Sequence, residues 1–329
     1  MILKLLAWLA RHGSWLIGGC LFIGLALPDL ARLCKPLIGP AVFVLLIATL
    51  LRIDWSQALA HARRPGPTAL MIVWLLLGAP LAMWAALHVI TPPEGLARAL
   101  VLTASSPVLT AVPTFALLLG LDAALALVAM LATSLLQPVL QPPLALALLG
   151  IELDVGIGAL MSRLGMFVGG AFAAALIVRW LAGRERIERA AAPISGVAVL
   201  MLILFGIGVV DGLTGTILAR PSHALVFLAA AFAGNFALQV IGGTIFCLLA
   251  RAGLFEHRQA LTIALASGNR NLAVLVAVLG PAADADLFLF LAVNQFPMYF
   301  VPAVLGPIYR RLLATAERPA AISSERAGG

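Results

Sequence analysis

Charged residues are scarce in this sequence. Asp, Glu, Lys and Arg make up 11% of its 329 residues, whereas soluble domains carry roughly a quarter. Hydrophobic residues make up 63%, and the mean hydropathy is +1.09. Because so few charged residues cannot cover a water-exposed surface, the composition excludes an ordinary soluble protein. It indicates an integral membrane protein whose surroundings are the lipid bilayer.

Cysteine and alternating hydrophobic patterns are also scarce. Cys20, Cys34 and Cys247 have no metal-like or redox-like spacing, which excludes a zinc or dithiol site built on cysteine. The apolar runs are long and lack the ten-residue alternation of a membrane barrel. Because lipid cannot satisfy a free backbone group, helices remain as the spanning elements. The sequence therefore predicts an all-α membrane protein without a cofactor.

Neither the excess of basic residues nor the apolar N-terminus has its most familiar meaning here: the first does not indicate nucleic-acid binding, and the second does not indicate a cleaved signal peptide. The formal charge is +7, but basic excess in a membrane protein is the usual mark of cytoplasmic loops, so no nucleic-acid partner is predicted. The N-terminal apolar run is short and lacks a small-residue cleavage pattern. It is predicted to form a short interfacial helix before the first span.

Ten apolar segments are long enough to be spans, which need about 20 residues each. Turn or charge clusters separate them, among them Pro92-Pro93-Glu94 and Arg184-Glu185-Arg186. The predicted spans are 14–29, 36–52, 67–90, 97–119, 122–147, 158–181, 192–210, 223–250, 259–280 and 286–309.

The basic residues indicate the orientation. With a cytoplasmic N-terminus, 15 Lys and Arg residues fall on the cytoplasmic side and five on the other, with Arg270 left between them. This asymmetry predicts a multi-pass protein of the inner (plasma) membrane with both termini in the cytoplasm. An even number of spans agrees with that orientation.

Five spans precede the Glu152/Asp154 connection and five follow it, so the two halves have opposite orientations. This is the arrangement of transporters built from inverted repeats. The predicted domains are 1–155 for the first repeat and 156–312 for the second, followed by a disordered cytoplasmic tail at 313–329.

The fourth member of each half is interrupted. In span 4 the run 104–114 contains Pro107 and Pro113, which remove backbone donors and disfavour helix before them. In span 9 the run Ser-Gly-Asn-Arg-Asn begins at Ser267. Broken segments at corresponding positions of two halves indicate a substrate site near the membrane midplane. The candidate substrate or crossover residues are Ser105, Ser106, Thr110, Pro113, Thr114, Ser267, Gly268, Asn269, Arg270, Asn271, Asn294 and Gln295.

Arg270 is the charge that the span assignment leaves deep in the membrane. All 14 acidic residues and all five histidines lie at loops, termini or span ends, which excludes a carboxylate cage or an Asp/His proton relay at the midplane. An arginine there costs at least ~2.5–3.5 kcal/mol. Two interpretations remain open: Arg270 pairs with an anionic substrate or replaces a bound cation, or it donates to carbonyl groups at the end of a broken helix.

Ser-Ser-Pro-Val-Leu-Thr-Ala in span 4 and the Asn269-containing break of span 9 resemble the bile acid:sodium symporter family. Pro138, Pro142 and Asn235 also match its layout. The resemblance implies ten spans, a panel domain of spans 1, 2, 6 and 7, and a core domain of spans 3–5 and 8–10. It further implies that broken spans 4 and 9 cross, bind sodium and face a crevice for organic anions.

The sequence departs from that family at the sodium ligands. Ala264, Gly268, Pro113 and Leu75 stand where members usually offer side-chain oxygen atoms. The remaining candidate ion ligands are Thr110, Thr133, Ser134 and Asn269. The resemblance therefore implies a carrier of a small organic anion and leaves sodium as a coupling ion open.

The leading hypothesis is a secondary transporter of a small organic anion with weak or absent sodium coupling. The alternatives are a sodium-coupled organic acid symporter that uses carbonyl and hydroxyl ligands, and an arsenite-type permease. Residues 103–115 lack the cysteine that such a permease uses. An intramembrane enzyme would need a base beside a nucleophile, and none is found, so no enzyme is predicted. A membrane receptor remains a further class, and the oligomeric state is not indicated.

Overall fold

The protein is all-helical. A computed structural model describes residues 2–53, 65–150, 156–280 and 283–327, and no β-strand occurs within these ranges. The predicted Glu152/Asp154 connection lies outside them. The helices are α1 Ile2–Ala26, α2 Pro28–Cys34, α3 Ile38–Leu51, α4 Pro65–Val73, α5 Ala79–Ile90, α6 Glu94–Ser105, α7 Val112–Leu118, α8 Ala123–Leu149, α9 Ile157–Ala182, α10 Arg184–Arg189, α11 Ala191–Val209, α12 Leu213–Ala219, α13 Pro221–Arg251, α14 His257–Gly268, α15 Leu272–Leu279 and α16 Ala285–Ala327.

Within the described residues, six helical stretches are long and apolar enough to cross a membrane. A 3₁₀ turn joins α2 to α3, and a π-helical turn at Trp74–Gly78 joins α4 to α5. The protein is therefore a helical membrane protein, while the count of ten spans stays a prediction. The six stretches are Pro28–Leu51, Gly66–Ile90, Ala123–Leu149, Ile157–Ala182, Ala191–Ala219 and Pro221–Arg251.

Two parts of the chain differ from the sequence prediction. The first 26 residues were predicted as a short helix and a separate span, but α1 is continuous through Gly13. Gly13 lies against Val199 of α11, and Gly196 lies against the backbone of Leu6, so small residues let α1 and α11 pack along their length. At the other end, α16 extends to Ala327, whereas residues 313–329 were predicted to be disordered.

The helices pack in two groups. Helix α11 packs against α1, α2 and α3, and α9 contacts α3 as well. In the other group α13 packs against α14 and α16, and α6 packs against α5, α8 and α16. Helix α9 also packs against α8, so the two groups share one extensive side-by-side contact.

Candidate functional site

The two interrupted segments meet and pair through their backbones. We call residues 106–111 and 269–271 the crossover segments. The Leu109 N–H donates to the Asn269 carbonyl at 2.9 Å, and the Asn271 N–H donates to the Pro107 carbonyl at 2.7 Å. Val108 and Arg270 form an isolated antiparallel bridge. The crossover segments therefore satisfy part of the backbone that the helix breaks leave free.

Proline explains why the first break occurs where it does. Pro107 disfavours a helical conformation for the residue before it, and Ser106 has an extended ψ of 159°. Pro113 lies in the first turn of α7, where a missing N–H breaks no helical hydrogen bond. The Val108 N–H is accepted by Thr133 Oγ at 3.0 Å. The sequence thus stops α6, restarts α7 and supplies a partner for the connecting backbone.

Arg270 is fully buried, and all of its recorded partners are backbone carbonyl groups. Its Nε donates to Ser267 at 2.9 Å, its Nη1 to Ser106 at 3.3 Å and its Nη2 to Leu75 at 2.8 Å. The first two carbonyls lie at the C-terminal ends of α14 and α6, where the helix dipole favours a cation. The geometry therefore matches the helix-end interpretation of Arg270.

The third carbonyl is free because of the π-helical turn. In a regular α-helix the Ala79 N–H would bond to Leu75 O, but here it bonds to Trp74 O. The next residue, Pro80, has no N–H to offer. The Leu75 carbonyl consequently has no helical donor and accepts from Arg270. Pro80 is the sequence signal for this contact, and neither Pro80 nor the Leu75 carbonyl was part of the predicted crossover site.

Gly268 allows α14 to lie against α13. A Cβ atom at Gly268 would collide with the Asn235 carbonyl, while Asn235 Nδ2 donates to the Gly268 carbonyl at 2.9 Å. Gln239 Nε2 donates to Asn235 Oδ1 at 2.6 Å, and the Tyr309 hydroxyl donates to Gln239 Oε1 at 2.8 Å. This buried chain fixes the end of α14. Gln239 and Tyr309 were absent from the sequence prediction.

Ser105 and Ser106 are held from the other side by α8. Gln141 Nε2 donates to the Leu102 carbonyl and lies within hydrogen-bonding distance of both serine hydroxyls. Gln137 Nε2 donates to Gln141 Oε1 at 2.7 Å. Both glutamines are buried. Their i, i+4 spacing inside an apolar helix is the sequence signal for this support, and neither glutamine was among the predicted site residues.

The four candidate ion ligands differ in their surroundings. Thr133 Oγ is engaged, since it donates to Ala129 and accepts from Val108. Ser134 is buried and Thr110 is half-buried. Asn269 Nδ2 donates to Leu265, but its Oδ1 is buried and has no hydrogen-bond partner among the described residues. None of the four is a carboxylate, and the described ranges contain no group of His, Cys, Asp and Glu residues that could hold a metal ion.

A cavity of about 1550 Å³ lies between the two groups of helices. Helices α1, α3 and α11 line one side, and α7, α8, α15 and α16 line the other. The cavity reaches five of the predicted site residues, namely Thr110, Pro113, Thr114, Asn271 and Gln295. The predicted residues that do not line it are Ser105, Ser106, Ser267, Gly268, Asn269, Arg270 and Asn294.

Asn294 and Gln295 are neighbours with different environments. Gln295 lines the cavity and donates from Nε2 to the Leu291 carbonyl. Asn294 is buried, and in the part of the chain that the structure describes its Nδ2 has no hydrogen-bond partner. The predicted site is therefore arranged as two layers: a polar wall that faces the cavity, and a buried support behind it that includes Arg270.

The comparisons with known proteins agree with this architecture. A family model described as the Sodium Bile acid symporter family matches residues 39–220, which is more than half of the chain. Among curated proteins, none matches significantly. Members of the family are transporters and not enzymes. The chain therefore belongs to the sodium bile acid symporter family and is a membrane transport protein.

Proposed function

We propose that the protein is a secondary transporter of a small organic anion that works by alternating access. Spans 1, 2, 6 and 7, represented by α1, α2–α3, α9 and α11, form the panel. Spans 3–5 and 8–10 form the core. The packing of α11 on α1 and α3, and of α13 on α14 and α16, supports this division. Rocking of one group against the other would expose the crossover alternately to each side.

The cavity is the observation that carries the proposal. It separates the two groups, it reaches the crossover residues Thr110 and Asn271, and its charged lining consists of Arg11 and Arg52. Neither Asp nor Glu is among its lining residues in the described part of the chain. A cleft with cationic charge and apolar walls favours anions. The small acids suggested by the sequence and the organic anions of the family both suit it.

Arg270 supports weak or absent sodium coupling. Its guanidinium carries a fixed positive charge and binds three carbonyl oxygen atoms at the crossover. Such oxygen atoms are the kind of ligand that a hard cation takes. In this proposal the guanidinium permanently occupies a position that a bound ion would fill in a coupled carrier, so an ion gradient has no site there on which to act.

Uptake of labelled organic acids into proteoliposomes tests the proposal. We expect transport of at least one acid from a panel of short keto acids, pantoate-like acids and sterol acids. Replacing sodium by potassium or choline should change the initial rate less than about threefold, because an ion without differential affinity cannot shift the cycle. The controls are protein-free liposomes and proteoliposomes in which the anion gradient has been collapsed. Absence of flux for every acid in the panel would contradict the proposal.

A sodium-coupled cycle is the second candidate, and the unpaired Asn269 Oδ1 favours it. In that cycle this oxygen, with the other candidate ligands Thr110, Thr133 and Ser134, would form a neutral ion site beside the crossover. Such a site would make uptake rise steeply with sodium concentration. In that case Asn269→Ala should remove the sodium dependence, while Ser162→Ala, which alters an exposed hydroxyl on α9, should not.

Topology is tested by cysteine labelling in a background without Cys20, Cys34 and Cys247. The proposal places both termini in the cytoplasm and the protein in the inner membrane, on the basis of the asymmetric Lys and Arg distribution. A cysteine at Arg186 should react only with a membrane-permeant thiol reagent. A cysteine at Ala283 should react with an impermeant reagent in intact cells. The reverse pattern would invert the orientation.

A further inference from the structure

Two arginines of the panel line the cavity and have unused hydrogen-bond donors. Arg11 lies on α1, and Arg52 follows the last residue of α3; both side chains are exposed. Arg11 Nε donates to the Ala7 carbonyl, which leaves its two terminal nitrogen atoms without a partner among the described residues. The Arg52 side chain has no hydrogen bond or ion pair within the same ranges.

Three other arginines near this end of the molecule are engaged. Arg179 donates to the carbonyls of Leu51 and Ile53. Arg184 and Arg189 form ion pairs with glutamates four residues away. The guanidinium groups that face the cavity differ from these three, because the terminal nitrogen atoms of Arg11 and the whole Arg52 side chain have no partner among the described residues.

The two arginines lie far from the crossover end of the cavity. Phe22 on α1 also lines the cavity, and its ring contacts that of Phe296, the neighbour of Gln295. Arg11 and Phe22 are separated by 11 positions of one helix, which is about 16 Å at 1.5 Å per residue. Gly208, near the end of α11, lies against Cys34, which precedes α3, so α3 runs antiparallel to α11 and α1 and places Arg52 at the same end as Arg11. The cationic end and the polar crossover end are therefore separate places in one cavity.

The size of the cavity supports the same division. Its volume of about 1550 Å³ exceeds the roughly 300–1,000 Å³ of ordinary small-molecule pockets. A small organic anion held at the crossover would leave the end with Arg11 and Arg52 open. The cavity therefore has room for a second position on the path of the anion.

We infer that Arg11 and Arg52 form an outer anion site, which collects the carboxylate or sulfonate of the transported solute at the mouth of the cavity before or after it occupies the crossover. This inference rests on the proposed transport of an organic anion. Unneutralised charges in a cleft with apolar walls raise the local concentration of ions of the opposite sign. Each guanidinium also offers a planar pair of donors that matches a carboxylate.

Kinetics measured separately at the two faces tests this role. In liposomes of phosphatidylcholine alone, the double variant Arg11→Gln/Arg52→Gln should raise the KM for anion added at the arginine face about tenfold, since the loss is one of electrostatic attraction. Its kcat and the KM at the opposite face should remain near the original values. Arg11→Lys/Arg52→Lys should retain most of the low KM, because the charge is kept.

The matched control is Arg251→Gln. Arg251 is an exposed arginine at the end of α13 that does not line the cavity. The Arg251→Gln variant should leave both KM values unchanged. An equal KM increase at both faces, or an equal effect of Arg251→Gln, would overturn the inference. An effect seen only after anionic phosphatidylglycerol is added would assign the arginines to lipid headgroups instead and would also overturn it.

Equilibrium binding separates this inference from the proposed function. Binding of labelled cholate and labelled pyruvate to the purified protein should weaken in the Gln double variant and with rising salt, and should be unchanged in Arg251→Gln. If no acid is transported but this binding pattern holds, the outer site stands and the transport proposal fails. If transport is found but the double variant binds and transports like the original protein, the outer anion site is wrong while the transport proposal stands.

Discussion

Replacing Arg270 by Ala should lower organic anion transport at least about tenfold, because three charge-assisted hydrogen bonds of about 1.5–3 kcal/mol each are lost at the crossover. The Ser267, Ser106 and Leu75 carbonyls would be left without this donor. These groups belong to α14, to the connection after α6 and to the π-helical turn. Their relative positions depend on the guanidinium that joins them.

Chemical rescue distinguishes loss of a cation from general misfolding. Arg270→Ala removes the guanidinium and leaves three carbonyl oxygen atoms around the space, so millimolar guanidinium ion should restore part of the transport activity. The Arg270→Lys variant should likewise have only part of the original transport activity, because an ammonium cannot reproduce the planar arrangement of donors. Initial uptake rates in proteoliposomes, with protein amount and thermal unfolding monitored for each variant, measure both effects.

Arg179→Ala is the matched control for this experiment. Arg179 also donates to two backbone carbonyls, those of Leu51 and Ile53, but it lies away from the crossover. We expect a smaller loss of transport and no stimulation by guanidinium. Full activity of Arg270→Ala, together with a strong sodium requirement of the original protein, would show that carbonyl and hydroxyl groups bind the ion unaided. The arginine would then have no part in the cycle.

Cross-linking the panel to the core should also abolish transport. Lys35, which follows α2, places its ammonium 4.8 Å from the centre of the Phe288 ring on α16. This contact joins the two proposed domains at the end of the molecule opposite to Arg11 and Arg52. If the domains separate there during each cycle, a covalent link must stop it. A reducible bis-thiosulfonate reagent on Lys35→Cys/Phe288→Cys should therefore lower transport at least about tenfold, with recovery after reduction.

The control pair for the cross-link lies within one domain. Lys35 also forms an ion pair of 3.0 Å with Asp211, which follows α11. Both residues belong to the proposed panel, so Lys35→Cys/Asp211→Cys should cross-link without blocking transport. The three native cysteines are replaced in every variant. Undiminished transport by the cross-linked Lys35→Cys/Phe288→Cys protein would exclude separation of panel and core at this contact.

The protein class and the positions of the two breaks were predictable because they depend on local properties of the chain. Scarcity of charge and long apolar runs require membrane helices whatever their arrangement. Pro107 acts on its own backbone and on that of the preceding residue. The interruption between α6 and α7 therefore follows from nearby residues. The family resemblance added the expectation that the two breaks lie together.

The role of Arg270 was not predictable in the same way. The sequence placed a guanidinium at the break of α14 but left open whether it meets a substrate or carbonyl groups. Its partner Leu75 is 195 positions away, and the carbonyl there is free because Ala79 donates to Trp74 and Pro80 has no N–H. Which free carbonyl meets which donor depends on how distant helices pack.

The residues that support the crossover were missed for a similar reason. Gln141, Gln239 and Tyr309 are single polar side chains in apolar helices, and such residues serve equally as contacts between any two helices. Only the packing of α8 on α6 and of α13 on α16 gives them their partners. The sequence by itself determined the membrane helices and the points where they break. The tertiary structure decided which polar groups those breaks bring together, because a buried hydrogen bond requires two groups within about 3 Å of each other.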